Sequence, residues 1–234
     1  YFQGRESLPG RYYHDILPGK SAMRFYFHKT PGWLRKIYPE FNWEISTDSK
    51  DLFLTFDDGP VSGATPYILE ILEKFNAKAT FFVVGDNVRK NKGIIKEVVA
   101  AGHQVGNHTY NHVSGWNQSR EQYLEQAKKC DEIIEDVTGE NSGLFRPPYG
   151  RITLKQASDV SKKYKVVMWD ILSGDFDRTL NHRGALKQLK KSQPGSISVF
   201  HDNQKYIENV KKLLPEFLAY FADQEFMFQK IEKP

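Results

Sequence analysis

Apolar positions along this chain recur in two alternating rhythms. Short apolar runs stand at 52–56 (LFLTF), 78–85 (KATFFVVG), 104–108 (QVGNH), 143–146 (GLFR), 165–170 (KVVMWD) and 196–202 (SISVFHD), and 225–231 (EFMFQKI) closes the set. Bounded runs of this kind fit strands buried on both faces. Between them apolar residues fall three and four apart. Ile68, Leu72 and Phe75 share one face after Thr65, which can cap a helix, and Pro66, which can open it. A helix following the second strand closes on Gly102. Ser119 and Gln122 form a capping-box pattern that opens a long helix to about residue 137, with Gly139 just beyond. Further helices are predicted near 153–164, 182–191 and 204–221. Strands alternating with helices over short connections imply parallel strands joined by helical crossovers. No interior linker or repeat breaks the series, so the expected fold is α/β, one barrel-like domain over 50–234.

Composition narrows the class. A chain of 234 residues supports a core that needs no staples, and 39% hydrophobic with 14% aromatic residues is a globular balance. The net charge of +4 is modest and the lysines are scattered over helices, so no nucleic-acid partner is expected. Cys130 is the single cysteine, which excludes an intramolecular disulfide, and within YLEQAKKCDEIIEDV it reads as a small buried filler. No run approaches the ~18 apolar residues of a membrane span. The opening YFQG resembles the remnant of a tobacco etch virus protease site, so residues 1–22 are expected to be expression-derived or an irregular extension.

Met23 then reads as the native start of an N-terminal arm, 23–49, without a signal peptide, because MRFYFHKTP lacks an apolar core. That reading puts the chain in the cytoplasm or at a membrane surface, whereas a signal removed before expression would put it outside. Residues 25–43 mix aromatics with Lys and Arg, which suits either peripheral membrane contact or an arm packed across the domain. A monomer is expected.

In a parallel barrel the active site forms at the carboxyl ends of the strands. Asp57 and Asp58 follow the first strand, His108 and His112 the third, Arg146 the fourth, Asp170 and Asp175 the fifth, and His201 and Asp202 the sixth. Five strand ends therefore deliver charge or imidazole to one rim. His108 and His112, four apart, would share one face of a helical turn within reach of one metal ion. A carboxylate from another strand end completes two His and one Asp with an open position, a catalytic arrangement. His103 lacks that spacing and reads as a structural hydrogen-bonder. Adjacent side chains at a strand end diverge, so one of Asp57 and Asp58 can ligate a metal while the other holds a proton.

TFDDGP (55–60), HTYNH (108–112), RPPYG (146–150), SGDF (173–176) and VFHD (199–202) together resemble the five motifs of the polysaccharide deacetylase (NodB-homology) superfamily, carbohydrate esterase family 4, over roughly 50–230. The resemblance implies a distorted (β/α) barrel and metal-dependent hydrolysis of N-acetyl or O-acetyl groups on sugars. It makes Asp57 the catalytic base, paired with Arg146, and His201 the general acid, its pKa raised by Asp175. Asp58, His108 and His112 become the ligands of one divalent ion, zinc first and cobalt, nickel or iron after it. Pro147 and Pro148 would stiffen a loop whose Tyr149 N–H donates to the oxyanion. Pro147, Tyr149, Trp116 and Phe176 form the expected substrate-binding set, with core packing as the alternative for Trp116.

Three departures touch the acetyl pocket. Phe176 stands where the family usually has Trp, Leu172 where an Asp is expected, and Val199 where Leu is common. No ligand or proton carrier is missing, so an active enzyme on an acetylated glycan or amino sugar is expected. The alternatives are a deformylase or deacetylase of a lipid-linked aminosugar, action on another small amide, or a non-catalytic glycan-binding module. A magnesium phosphate-ester hydrolase would need more carboxylates.

Overall fold

The computed structural model describes residues 26–234. The readings of residues 1–22 and of Met23 lie outside the described residues. The strands are β1 (Asp51–Asp57), β2 (Thr80–Val83), β3 (Gln104–Asn107), β4 (Leu144–Phe145), β5 (Lys165–Val166), β6 (Ile171–Leu172), β7 (Ile197–His201) and β8 (Met227–Gln229). They make one sheet in the order β5-β4-β3-β2-β1-β7-β6, with β8 beside the first half of β1, and every named pair is parallel. The helices are α1 (Gly32–Arg35), α2 (Thr65–Lys74), α3 (Gly85–Lys90), α4 (Lys92–Ala100), α5 (Arg120–Thr138), α6 (Leu154–Val160), α7 (His182–Leu189) and α8 (Ile207–Ala222).

Alternation along β1 separates two environments. Leu52, Leu54 and Phe56 join the main core with Ile68 and Leu72 of α2 and Leu214 and Phe217 of α8. Phe53 points to the other face, into a smaller cluster with Phe82, Leu144, Val167 and Ile197. Thr55 and Asp57 share that second face by the two-residue period, so the interior of the curled sheet turns polar toward the carboxyl ends. Register sets Asp57 opposite His201 on β7 and Asn107 opposite Phe145 on β4. The residues that follow, Asp58, His108 and Arg146, therefore leave the sheet at one rim.

The predicted strand 165–170 is two strands. β5 pairs with β4 at one edge of the sheet, and β6 pairs with β7 at the other. Residues 167–170 cross between them, with the Val167 N–H donating to Phe145 and the Asp170 N–H to Ile197. This crossing brings the two edges of the curled sheet together. Asp170 consequently lies at the amino end of β6, away from the rim assigned to it from sequence. Its carboxylate accepts from Ser196 Oγ at 2.7 Å and pairs with Lys29 and Arg35.

The arm lies along this seam. The Asn42 N–H donates to Val166, the Met168 N–H to Asn42, the Thr30 N–H to Asp170 and the Leu172 N–H to His28. Phe41 and Trp43 are buried beneath it, while Phe27, Trp33 and Ile37 are exposed. Packing across the domain is thus the observed state of residues 26–43.

Local signals held in several places. Ser119 and Gln122 make both bonds of the capping box on α5, and Gly139 ends that helix at φ 79°. Cys130 is fully buried, and the His103 Nδ1 accepts the Ala79 N–H at 3.2 Å as a structural group. Thr65 departs from its predicted role. It is the first residue of α2, and its hydroxyl accepts from the Val61 N–H and donates to Asp202 instead of capping. The predicted strand 78–85 is shorter than its apolar run: it stops at Val83, and Gly85 opens α3, where a Cβ would lie 2.6 Å from Tyr110.

Candidate active site

Asp57 closes β1 and turns inward to Arg146. The guanidinium is fully buried, and its Nη1 donates to Asp57 Oδ1 and to Thr55 Oγ1, both at 2.7 Å. Nε and Nη2 donate to the carbonyls of Val167 and Met168 in the seam crossing. Arg146 also lies 4.2 Å over the Phe82 ring. Burial pulls the Arg146 pKa down while the Asp57 charge and hydrogen bond oppose it, and a guanidinium stays protonated.

Asp58 leaves in the other direction because its backbone is left-handed, at φ 86°. Its Oδ1 is 3.1 Å from His112 Nε2 and 4.0 Å from His108 Nε2, and its Oδ2 accepts from Asn203 Nδ2 at 3.2 Å. One ligand atom from each of Asp58, His108 and His112 lies within 4.8 Å of the others, close enough to hold one metal ion. The His108 Nδ1–H donates to the Arg146 carbonyl at 2.8 Å, which leaves Nε2 unprotonated on the side of Asp58. Burial, the largest influence, pushes His108 down to about 4, so the imidazole is neutral at pH 7. Burial raises Asp58, but the hydrogen bond and charge of His112, then His201 and His108, hold it well below the usual carboxylate range. Two imidazoles and a carboxylate are donors that fit a zinc-type ion.

The segment 108–112 is not a helical turn. Thr109 and His112 have φ of 64° and 53°, and this loop brings the two imidazole centroids to 5.0 Å. Buried Asn107 shapes it, accepting from the Thr109 N–H at 2.9 Å and donating to Ala127 of α5 at 2.7 Å. The i,i+4 spacing thus groups two histidines that the structure also brings together, but through a left-handed loop and not through a helical face.

His201, at the end of β7, is bound twice by one carboxylate. Its Nδ1 and its backbone N–H each lie 2.7 Å from an oxygen of buried Asp175. Burial lowers the His201 pKa, but the charge and hydrogen bond of Asp175, with Asp58 and Asp57 behind, raise it to about 10. The ring is protonated at neutral pH, and Phe176 stands edge-on to it at 5.5 Å. Asn209 of α8 donates to the carbonyls of Asp175 and Asp177 and so pins the loop that carries this carboxylate.

Three supporting residues were not assigned these roles from sequence. Asp202 accepts from the Gly59 N–H at 2.8 Å and from Thr65 Oγ1 at 2.7 Å, and a Cβ on Gly59 would fall 1.8 Å from its Oδ2. It therefore clamps the turn after Asp58, next to the cis Gly59–Pro60 peptide. Burial pushes the Asp202 carboxyl up to about 8. Asn87 and Asn203 bond Asp58 from 29 and 145 residues away, distances at which no local pattern operates.

The predicted substrate-binding residues gather at the rim. Pro147 and Pro148 are buried, while Tyr149 is left-handed, at φ 59°, and 52% exposed. The Gly150 and Arg151 N–H groups close onto Pro147 and Pro148, but the Tyr149 N–H has no partner among the described residues. The Tyr149 ring meets His112 at 4.6 Å. Trp116 is 64% exposed, so its core-packing alternative is overturned. Leu172 and Val199 are buried, so the departures from the family pattern at these positions sit in packed interior.

The family model for polysaccharide deacetylase matches residues 44–169. A peptidoglycan-N-acetylglucosamine deacetylase of Bacillus cereus is 32% identical over 84% of this chain and 74% of its own length. The peptidoglycan-N-acetylglucosamine deacetylase PgdA of Listeria monocytogenes is 34% identical over 67% of this chain, and the match spans 33% of that longer protein. The solved structure of the Bc1960 peptidoglycan N-acetylglucosamine deacetylase superposes with a TM-score of 0.76 at 28% identity, covering 86% of this chain and 98% of that one.

Proposed function

The chain belongs to the polysaccharide deacetylase family, and from that premise we propose that it removes N-acetyl groups from the amino sugars of a peptidoglycan-type glycan. The observation that carries the proposal is the pairing of two differently prepared proton carriers at one rim: Asp57 held on Arg146, and His201 held on Asp175. Asp58, His108 and His112 would hold one divalent ion, zinc by the donor set. Such an ion supplies Lewis acidity toward water and the amide carbonyl.

The remaining work falls to side chains. Asp57 takes the proton of the attacking water, and Arg146 keeps that carboxylate oriented. The free Tyr149 N–H donates to the oxygen of the amide carbonyl as it gains charge. His201, carrying its proton at neutral pH, passes it to the departing amine. Acetate and a free amino sugar result. Asp175 keeps the imidazole charged and its Nδ1 engaged, so Nε2 is the proton-bearing atom turned to substrate.

A peptidoglycan substrate favours an extracytoplasmic setting over a cytoplasmic one. The test is acetate release by zinc-loaded and chelator-stripped protein from N-acetylglucosamine oligomers, peptidoglycan fragments and acetylated xylan. Zinc-dependent release from the first two supports the proposal. Release from xylan alone would move the reading to O-acetyl esters, and silence on all three would move it to formyl or lipid-linked amides.

A further inference from the structure

Beside the ligand loop, the rim carries a group that the proposed chemistry does not use. Arg151 is exposed, and among the described residues no carboxylate lies within ion-pair distance of it, whereas Arg35, Arg89 and Arg120 are each paired. Its guanidinium sits 5.1 Å over the Trp116 ring and 5.9 Å over the Tyr149 ring. Contact with ring faces positions a guanidinium without consuming its N–H donors. The N–H groups of Arg151 make no hydrogen bond to any described residue.

Hydrogen bonds tie together the backbone beneath these three side chains. The Gly115 N–H donates to the Arg151 carbonyl at 2.9 Å, and Trp116 Nε1 donates to the Ile152 carbonyl at 3.4 Å. Gln156, fully buried on α6, donates to the carbonyls of Gly115 and Gln118 and so ties the two loops together. Gly115 is required there, because a Cβ would lie 2.6 Å from Gln156 Oε1 and 2.8 Å from the Arg151 carbonyl. Two large exposed rings on a hydrogen-bonded platform, beside a planar cation without a carboxylate partner among the described residues, form a preorganised surface for a ligand with an apolar ring face and an anionic substituent.

We infer that Trp116, Tyr149 and Arg151 form a subsite for a sugar bearing a carboxylate, adjoining the acetylated sugar that reacts. The inference rests on the glycan-deacetylase reading, which it deepens. The rings take the sugar face, and the Arg151 fork pairs with the carboxylate. That carboxylate can be an ether-linked acid on the sugar itself or belong to a peptide attached to it; both present the same chemistry. The position next to His112, through Tyr149, puts the subsite one ring away from the metal-ligand cluster.

The test compares wild type, Arg151→Gln, Arg151→Lys and Trp116→Ala on three substrates: neutral N-acetylglucosamine tetramer, and oligomers alternating N-acetylglucosamine with N-acetylmuramic acid, with and without peptide. Arg151→Gln should lower the kcat/KM preference for acidic over neutral oligomers about tenfold, through KM, as expected for one charge-assisted contact. Arg151→Lys should recover part of it, and added salt should shrink the preference in wild type and Arg151→Lys but not in Arg151→Gln. Loss on peptide-free oligomers assigns the sugar-borne carboxylate; loss on peptide-bearing oligomers alone assigns the peptide.

An unchanged preference in Arg151→Gln would overturn the subsite while leaving the deacetylase reading intact. Calorimetric binding of the same oligomers to an Asp57→Asn background separates the two ideas. If wild type releases no acetate but acidic oligomers bind with Arg151 dependence, the deacetylase reading falls and the subsite stands.

Discussion

Arg146 donates to Asp57 at 2.7 Å in a part of the barrel where the guanidinium meets no water. Its other donors end on Thr55, Val167 and Met168, so the orientation of one carboxylate is tied to the crossing that closes the sheet. A buried ion pair of this kind is costly to break from one side, because the remaining charge keeps its desolvation penalty and loses its partner.

Replacing Arg146 by Leu should therefore destabilise the fold by about 3–5 kcal/mol, the range for an orphaned buried charge. Denaturant unfolding of Arg146→Leu and Asp57→Asn checks this, and the second variant should cost less because an amide still accepts from the guanidinium. A loss below about 1 kcal/mol in Arg146→Leu would mean that Asp57 is stabilised by something other than its arginine.

Asp57→Asn removes the proposed base and keeps its shape. Activity on N-acetylglucosamine oligomers should fall by roughly 10²–10⁴, the usual contribution of general base catalysis. Zinc bound per chain should stay the same, because Asp58 and the two histidines are untouched. Full activity in this variant would assign the base elsewhere.

His112 is the more accessible imidazole of the proposed ligand set, and His108 is buried. His112→Ala should fold and bind zinc at least about 100-fold more weakly, since even outer partners of a metal ligand are worth 10–100-fold. Competition with a chromogenic chelator measures it. An unchanged stoichiometry and affinity would remove His112 from the set.

The His201 pKa stands at about 10 because Asp175 outweighs burial. Stability from this pair is fully present below the unfolded value near 6.5 and is lost as pH rises through about 10. Asp175→Asn leaves burial in control, so the alkaline limb of kcat/KM should move toward acid by more than one pH unit. The stability gap between wild type and variant should be widest below pH 6.5 and narrow toward pH 10. An alkaline limb that stays in place would show that another group delivers the proton.

Much of this protein is written in local pattern. Apolar periodicity and capping residues such as Ser119, Gln122 and Gly139 placed the main helices, and chemistry-bearing residues fell where parallel strands end. Those signals are readable because each depends on residues within a few positions of one another. Asp170 was misplaced because a continuous apolar run conceals a crossing from β5 to β6, and only the pairing of each strand shows the break. The shape of the histidine loop is not legible in the sequence, because spacing alone does not distinguish a helical turn from left-handed residues held by Asn107.

The sequence by itself determined which residue types carry the chemistry and in what order along the chain they leave the sheet. Only the tertiary structure decided that Arg146 meets Asp57 across 89 positions, that Asn203 meets Asp58 across 145, and that Arg151 lies over the rings of Trp116 and Tyr149. Local preference selects helix or strand, but register and sheet closure come from contacts between distant segments, and those contacts set which side chains share a site.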